Sequence, residues 1–525
     1  MTAERLSPDP FPVARRQSLS AMLRRAAGRH RDRTAIVCGD TIWSYAEFDR
    51  LVDRLAAGLK HAGVTPGERV AVMARNSHAF IALRFAIARA DAVFVPINFM
   101  LNAGDVRYIL DHSGAVMLFV DATTEEVAAE AAAGVVERIF GIPGERDAAP
   151  ETLPSWEELP RDHGPQQENS GGDDLLQIIY TSGTESRPKG AMLTHNSVLW
   201  EYQSCIIDCE WTQDTVALHA MPLFHCAQLD CMIGPALHVG AANIITSRPV
   251  AGNVIALLAQ HRATSFFAPP TVWIAILRCP DMAEHDLTHL VKGYYGASIM
   301  PVEVLRELRE RLPELRLWNL YGQTEIAPVA TILFPEEHAE RLGSAGRPTL
   351  HVETRVVDDD MRDVALGEIG EIVHRSPQLL SGYWGDPERT ADAFAGGWFH
   401  SGDLGMMDSD GYLTVVDRKK DMIKSGGENV ASREVEEAIY RHPAVSEVAV
   451  IGLPDPKWIE AVTAIIVLRA NQSATEAEIM AHCEDHLSSF KTPKKVIFEK
   501  QLPRNASGKI LKRDLRLRMI ETTAG

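Results

Sequence analysis

The sequence predicts an α/β protein: a large N-terminal body with mainly parallel sheets, followed by a small C-terminal α/β domain. Three observations predict it. Short strand-like runs alternate with longer helical ones, which is the rhythm of a parallel sheet with crossover helices. The 525 residues are too many for one core. A charged run, Asp417-Arg-Lys-Lys-Asp421, separates two stretches of unlike charge.

Taken in order, a helix is expected from Ser18 to about Ala27, a strand over Thr34–Cys38, and a helix over Tyr45–His61. Arg69–Met73 reads as a strand, Ala79–Arg89 as a helix and Ala92–Ile97 as a strand. Residues 162–174, rich in Gly, Asn, Asp and Gln, read as a loop. They lead into the apolar strand Leu175–Tyr180. Leu413–Val416 is the last strand before the charged run. Residues 419–525 then have their own strands, Val448–Ile451 and Ala461–Leu468, and helices, enough for a small domain. The expected division is 1–418 and 419–525. A stripe of Ile479, Cys483, Leu487 and Phe490 predicts a helix on which His482 and His486 are flanking surface residues.

The net charge is −18. Residues 1–418 carry 36 basic and 56 acidic residues, whereas 419–525 carry 17 and 15. A body this acidic argues against a nucleic-acid surface, and the near-neutral tail suits a part that meets anionic ligands. Seven scattered cysteines suggest a reducing compartment and no disulfide framework. Cys205, Cys209, His225, Cys226 and Cys231 lack the spacing of a zinc knuckle. No apolar run approaches the ~18 residues of a membrane helix, and no secretory h-region is present. Residues 15–33 hold seven arginines, but Glu4, Asp9 and Asp32 speak against a transit peptide. A cytoplasmic enzyme is expected, with a homodimer left open.

The chemistry begins at Tyr180-Thr-Ser-Gly-Thr-Glu-Ser-Arg-Pro-Lys-Gly190. Thr181, Ser182 and Thr184 surround Gly183, and Lys189 closes the run. Such a loop offers backbone N–H groups, hydroxyls and one cation to a polyphosphate. Pro188 stands where a P-loop would have glycine. The same composition also suits a flexible surface loop. Three more motifs follow: Tyr321-Gly-Gln-Thr-Glu325, Trp398-Phe-His-Ser-Gly-Asp403 and Pro503-Arg-Asn-Ala-Ser-Gly-Lys509.

These four motifs, in this order, resemble the acyl-CoA synthetases of the acyl-adenylate-forming superfamily, over Tyr45 to Arg518. The resemblance implies an ATP-dependent carboxylic acid–CoA ligase with Mg²⁺. The acid would attack ATP to give acyl-AMP and pyrophosphate, then coenzyme A would take the acyl group. Catalysis of the first step is mostly positioning plus cations. Lys509 follows Gly508 in a loop and acts as a point charge; in the family it bridges carboxylate and phosphate. Glu325 is a hard oxygen ligand for Mg²⁺, and the resemblance adds the Thr184 hydroxyl. Thr324 would contact the α-phosphate. Tyr321 would cover the adenine, with Gly296, Ala297 and Ser298 on its other side and Gly322 and Gln323 adjoining. Asp403 has two acceptor oxygens for the ribose hydroxyls, and Arg418 would help hold the ribose. Glu325 and Asp403 equally suit a helix N-terminus and a turn.

Thioester formation needs Lys509 withdrawn. In the family the C-terminal domain rotates about a hinge, here Lys420, and brings in Ser425, Gly426, Gly427 and Glu428. The two glycines would leave room for the pantetheine arm; they also fit a plain turn. One departure is Glu185-Ser186, where the family has Thr-Gly. His225 stands where amino-acid-activating relatives have Asp, so no ammonium partner is present. Gly322 stands where acetate-activating relatives have a Trp plug. His225, Gln228 and Gly322 are the expected acyl-pocket residues, and the stretch after His225 can line an apolar channel or be ordinary core. A medium- or long-chain fatty acid is expected. An aryl, arylalkanoic or other small hydrophobic acid is the alternative, as is loading of a carrier protein. A silent nucleotide sensor would have lost Lys509, Glu325 or Asp403.

Overall fold

The computed structural model describes residues 14–159, 169–181, 187–296, 300–426, 428–504 and 510–524. The helices start where short polar side chains can cap them. Ser44 caps Tyr45–His61 and forms a capping box with Glu47. Ser18 caps Leu19–Arg29, Ser77 caps His78–Arg89 and Thr194 caps His195–Asp208. Tyr45–His61 turns Phe48, Leu51, Val52, Leu55 and Leu59 to the core. The expected strands Thr34–Cys38 and Arg69–Met73 are present with those bounds.

Two large sheets make the body. One has seven strands, in the spatial order Gly382–Tyr383, Lys189–Thr194, Leu175–Thr181, Val93–Ile97, Arg69–Met73, Ala115–Val120 and Ile139–Gly141. From Leu175–Thr181 onward every pairing is parallel; the first two strands are antiparallel additions. The other sheet has nine strands, running from Arg347–Pro348 through Val329–Leu333, Arg316–Gly322, Lys292–Gly296, Ser265–Phe267, Val216–His219, Ala242–Ile245 and Thr34–Cys38 to Thr41–Ser44. Its central pairings are parallel and its edges antiparallel.

Helix His78–Arg89 touches both sheets, through Val93–Ile97 and Thr34–Cys38, and all of its residues are buried. That position explains why it is apolar nearly all round. Its two arginines are paired: Arg84 with Asp230, and Arg89 with Asp49 and Asp53. Buried charges of this kind cost desolvation and persist only when fully paired.

A four-stranded antiparallel sheet follows, Glu353–Val357, Gly370–Arg375, Phe399–Met407 and Leu413–Arg418. The last strand runs two residues further than expected, into the charged run, because Asp417 and Arg418 pair across to Leu404 and Asp403. The final sheet holds Glu428–Val430, Ile423–Ser425, Ile459–Leu468 and Val445–Asp455, with Lys495–Phe498 beside Ile459–Leu468. The expected striped helix ends early, at Glu484. Leu487 and Phe490 follow it yet still pack on the same core. His482 is not a plain surface residue: Nε2 lies 3.0 Å from the Ala438 carbonyl oxygen, and its ring meets His442 edge-on.

Candidate active site

The motif expected to meet the phosphates grows out of a hairpin. Strands Leu175–Thr181 and Lys189–Thr194 pair antiparallel, with Thr181 opposite Lys189 and Tyr180 opposite Gly190. Ser182, Gly183 and Thr184 lie outside the described residues, as do Glu185 and Ser186. Strand Gly382–Tyr383 adds to the hairpin, with Tyr383 opposite Ala191. Lys189 Nζ donates to the Tyr383 hydroxyl at 2.9 Å. That hydroxyl donates to Glu325 Oε1 at 3.0 Å, and Lys189 Nζ itself lies 3.4 Å from the same oxygen. The ammonium also sits 4.4 Å from the centre of the Tyr383 ring. Burial, then the Glu325 carboxylate, push the Tyr383 pKa up, so the phenol stays a donor. Glu325 is buried among these partners. The sequence pointed to both charged residues but not to the tyrosine between them.

Glu325 sits in a short 3₁₀ turn, Thr324–Ile326, after strand Arg316–Gly322. The register with Val329–Leu333 shifts between Tyr321 and Gly322. At Gly322, φ is +158°, and a Cβ would fall 2.0 Å from the Pro328 carbonyl oxygen. Gly322 was expected to be small in order to keep an acyl pocket open. Its smallness is instead required by the neighbouring backbone, so a larger residue there disturbs the strand pairing before it fills any pocket. The Glu325 carbonyl accepts the Leu380 N–H at 2.8 Å. Gln378 Nε2 donates to the carbonyls of Ile326 (3.4 Å) and Val329 (3.2 Å) and to Glu201 Oε2 (2.5 Å). Glu201 Oε1 accepts the Val329 N–H at 3.2 Å. A fully buried acid and amide thus brace the turn that presents Thr324 and Glu325, and burial raises the Glu201 pKa well above the usual carboxyl range.

The motif expected to meet the ribose is assembled across strands. Asp403 faces Arg418 in the antiparallel register, and Arg418 Nε lies 3.2 Å from Asp403 Oδ1. The Tyr321 hydroxyl donates to Asp403 Oδ2 at 2.7 Å. Gln323 Nε2 donates to the Ser401 carbonyl at 3.3 Å. Two residues far apart in sequence, Tyr321 and Arg418, therefore converge on the Asp403 carboxylate. Gly296 ends its strand opposite Leu320, beside Tyr321; Ala297 and Ser298 lie outside the described residues. Lys420 stands in the turn after Arg418, where the Asp421 N–H bonds the Arg418 carbonyl. Burial, then the Arg418 charge, lower its pKa.

The acyl-side expectations change most. His225 Nδ1 accepts the Ala227 N–H at 3.2 Å, capping the turn Cys226–Gln228. Gln228 does not line a pocket. It is 1% exposed, its Nε2 meets His219 Nδ1 at 2.6 Å, and its Oε1 accepts the Met221 N–H at 3.2 Å. Leu229 to Ile233 form a π-helical turn and are fully buried, as are Pro235 to Leu237 behind them. The stretch offered as a channel wall is packed core, which periodicity could not distinguish from a pocket lining. Cys226 Sγ lies 3.2 Å from Thr324 Oγ1, so this core backs the Thr324–Ile326 turn.

Among the described residues one cluster, Glu201, Cys205 and Cys231, groups potential metal ligands. Cys205 Sγ donates to Glu201 Oε1 at 3.2 Å, and the two sulfurs are 3.6 Å apart. Both Glu201 oxygens already accept hydrogen bonds. Burial raises the thiol pKa values, so the group is a hydrogen-bonded core cluster.

In the C-terminal part, Ser425 and Glu428 pair in a hairpin whose turn contains Gly426; Gly427 and Lys509 lie outside the described residues. Gly426 has φ +63°, and its N–H donates to the Trp458 carbonyl at 2.8 Å. A Cβ there would press on the Trp458 ring at 3.0 Å, so glycine lets hairpin and indole meet. Ser425 is buried and Glu428 exposed. Arg504 and Ile510 form an isolated bridge at the base of the Lys509 motif. Tyr383, Gln378, Glu201 and Trp458 went unnoticed in the sequence, because each acts through a long-range contact and carries no local pattern.

Comparison with known proteins bears on this arrangement. Residues 23–384 match the AMP-binding enzyme family, and residues 434–509 match the AMP-binding enzyme C-terminal domain. A feruloyl-CoA synthase from Amycolatopsis sp is 40% identical over 505 residues, covering 96% of this chain and 99% of its own. A long-chain-fatty-acid–CoA ligase, FadD13, from Mycobacterium tuberculosis is 37% identical over 487 residues, covering 91% and 93%. The solved structure of the anthranilate CoA ligase AuaEII with anthranoyl-AMP superposes with a TM-score of 0.89 at 26% identity, covering 97% of this chain and 98% of its own.

Proposed function

The chain belongs to the AMP-binding enzyme family as an AMP-forming acid–CoA ligase, and from that premise we propose that it activates a compact aromatic carboxylic acid rather than a long-chain fatty acid. The observation that carries this reading is the packed segment from Leu229 to Leu237, whose buried side chains supply no wall for an apolar channel beyond His225 among the described residues. A fatty acyl chain needs such a channel; an aryl acid needs a short, flat pocket. The full-length likeness to a feruloyl-CoA synthase supports the same choice.

In this reading residues 1–418 bind ATP and the acid, and residues 419–525 deliver Lys509. Asp403 accepts the ribose hydroxyls, with Arg418 beside it to help hold the sugar. Lys189 and the hairpin it closes meet the phosphates. Glu325, a hard oxygen donor held at one oxygen by Tyr383, would hold Mg²⁺, whose role is to neutralise charge on the phosphoryl oxygens. Lys509 would bridge the attacking carboxylate and the α-phosphate. The Ser425–Glu428 hairpin, with Gly426 flat against Trp458, would then admit the pantetheine arm. The test is acid-dependent pyrophosphate release over a panel of cinnamic, benzoic, arylacetic and C8–C16 fatty acids, with CoA or a holo carrier protein as acceptor. The reading expects aryl acids to lead in kcat/KM with CoA as acceptor. A clear preference for C12–C16 acids would return the assignment to a fatty-acid ligase.

A further inference from the structure

A chain of polar contacts, joined at Arg418 through that residue's own main chain, crosses the joint between the body and the C-terminal part. Lys512 Nζ donates to Ser432 Oγ at 2.6 Å and lies 2.7 Å from Glu436 Oε1. The Ser432 hydroxyl and backbone N–H both donate to Asp417 Oδ2, at 2.6 and 2.7 Å. Asp417 Oδ1 accepts the Arg418 N–H at 2.8 Å. Arg418 Nε faces Asp403 Oδ1, and Asp403 Oδ2 accepts the Tyr321 hydroxyl. Every link has a donor and an acceptor. The single Ser432 proton goes to Asp417, and its oxygen takes the Lys512 proton.

The ends of this chain carry its meaning. One end is the carboxylate assigned to the ribose. The other is Lys512, three positions after Lys509 and in the first turn of helix Lys512–Ala524. In the middle, Asp417 precedes the Lys420 turn and Ser432 follows it. Ser432 is fully buried and Asp417 nearly so. A rotation of the C-terminal part against strand Leu413–Arg418 must separate them and strip a buried carboxylate of two donors. A ribose that takes both Asp403 oxygens competes there with the Tyr321 hydroxyl and the Arg418 guanidinium, and the main-chain N–H of that same Arg418 is held by Asp417.

We propose that Asp417, Ser432 and Lys512 are positioning residues that couple nucleotide occupancy at Asp403 to the placement of the segment bearing Lys509. The proposal rests on the roles given above to Asp403 and Lys509. It treats the contact chain as a thermodynamic link, which a double-mutant cycle measures directly. Ser432 touches neither nucleotide nor acid, so a merely structural role predicts equal losses in both half-reactions.

The experiment uses the full chain with Ser432→Ala, Ser432→Thr, Lys512→Met and the Ser432→Ala/Lys512→Met double. Three quantities are read: AMP affinity by calorimetry, acid-dependent pyrophosphate release, and conversion of supplied acyl-AMP to thioester. Ser432→Ala is expected to change the ratio of the two half-reaction rates and the AMP affinity each by about tenfold, the scale of one charge-assisted hydrogen bond. The threonine variant should restore both, and the double variant should fall no further than the worse single one. Equal losses in both half-reactions with unchanged AMP affinity, additive effects, or no change at all would each overturn the coupling. If Ser432→Ala fails to fold, Lys512→Met alone decides by the same ratio. A wild-type chain that releases no pyrophosphate with any acid overturns the functional reading instead, and AMP calorimetry still decides the coupling.

Discussion

Replacing Tyr383 by Phe isolates the bridge between Lys189 and Glu325. The ring remains, so the packing and the 4.4 Å contact with the Lys189 ammonium remain. Only the hydroxyl is lost, and with it the 2.9 Å bond from Lys189 and the 3.0 Å bond to Glu325. Hydrogen bonds to charged groups contribute about 1.5–3 kcal/mol each. The direct Lys189–Glu325 approach, 3.4 Å in the native arrangement, can shorten and recover part of that. Taking the loss as that of one such bond, about 1.5–3 kcal/mol, kcat/KM for pyrophosphate release should fall about 10- to 100-fold. The metal requirement should tighten as well, because Glu325 loses the donor that aims it. The assay is acid-dependent pyrophosphate release across a Mg²⁺ titration, beside thioester formation from supplied acyl-AMP. The second half-reaction should be spared. An unchanged Mg²⁺ dependence, or an equal fall in both half-reactions, would refute the argument that Tyr383 serves the adenylation site through Glu325.

Two further outcomes are expected. Lys509→Ala should lower acid-dependent pyrophosphate release by about two orders of magnitude or more, the scale for one preorganised charge, while supplied acyl-AMP still yields thioester; parallel loss of both would contradict its role in the first step alone. Acid should destabilise the fold between pH 6.5 and 4. Burial lowers the pKa values of His78, His195, His219, His238, His338 and His374 to about 4. Folded, these side chains resist protonation that the unfolded chain accepts below 6.5. Their contribution is complete above that pH and is lost as pH falls towards 4, by up to about 1.4 kcal/mol per histidine per pH unit. Thermal unfolding followed from pH 8 to 4 should show a steep fall in Tm that His219→Asn makes shallower; a flat profile would show that these residues are not held neutral.

The local sequence determined the elements and the order of the motifs. Thr34–Cys38, Tyr45–His61 and Arg69–Met73 were legible because alternation, helical period and the Ser44 cap act over a few residues. Lys189, Glu325 and Asp403 stood out because each belongs to a short motif whose order along the chain resembles that of the family. Only the tertiary structure decided which groups meet. The meeting of Asp403 with Arg418 and Tyr321 depends on strand register, and Tyr383 reaches Glu325 through a strand added to the phosphate hairpin. Whether Gln228 and the residues after it line a channel or fill a core depends on what packs against them, and an apolar run reads the same in either case. Gly322 looked like an open door because sequence shows the absence of a side chain but not the Pro328 carbonyl that excludes one. Local patterning thus sets element type and motif chemistry, while partner identity is a property of long-range packing, which no short window of sequence contains.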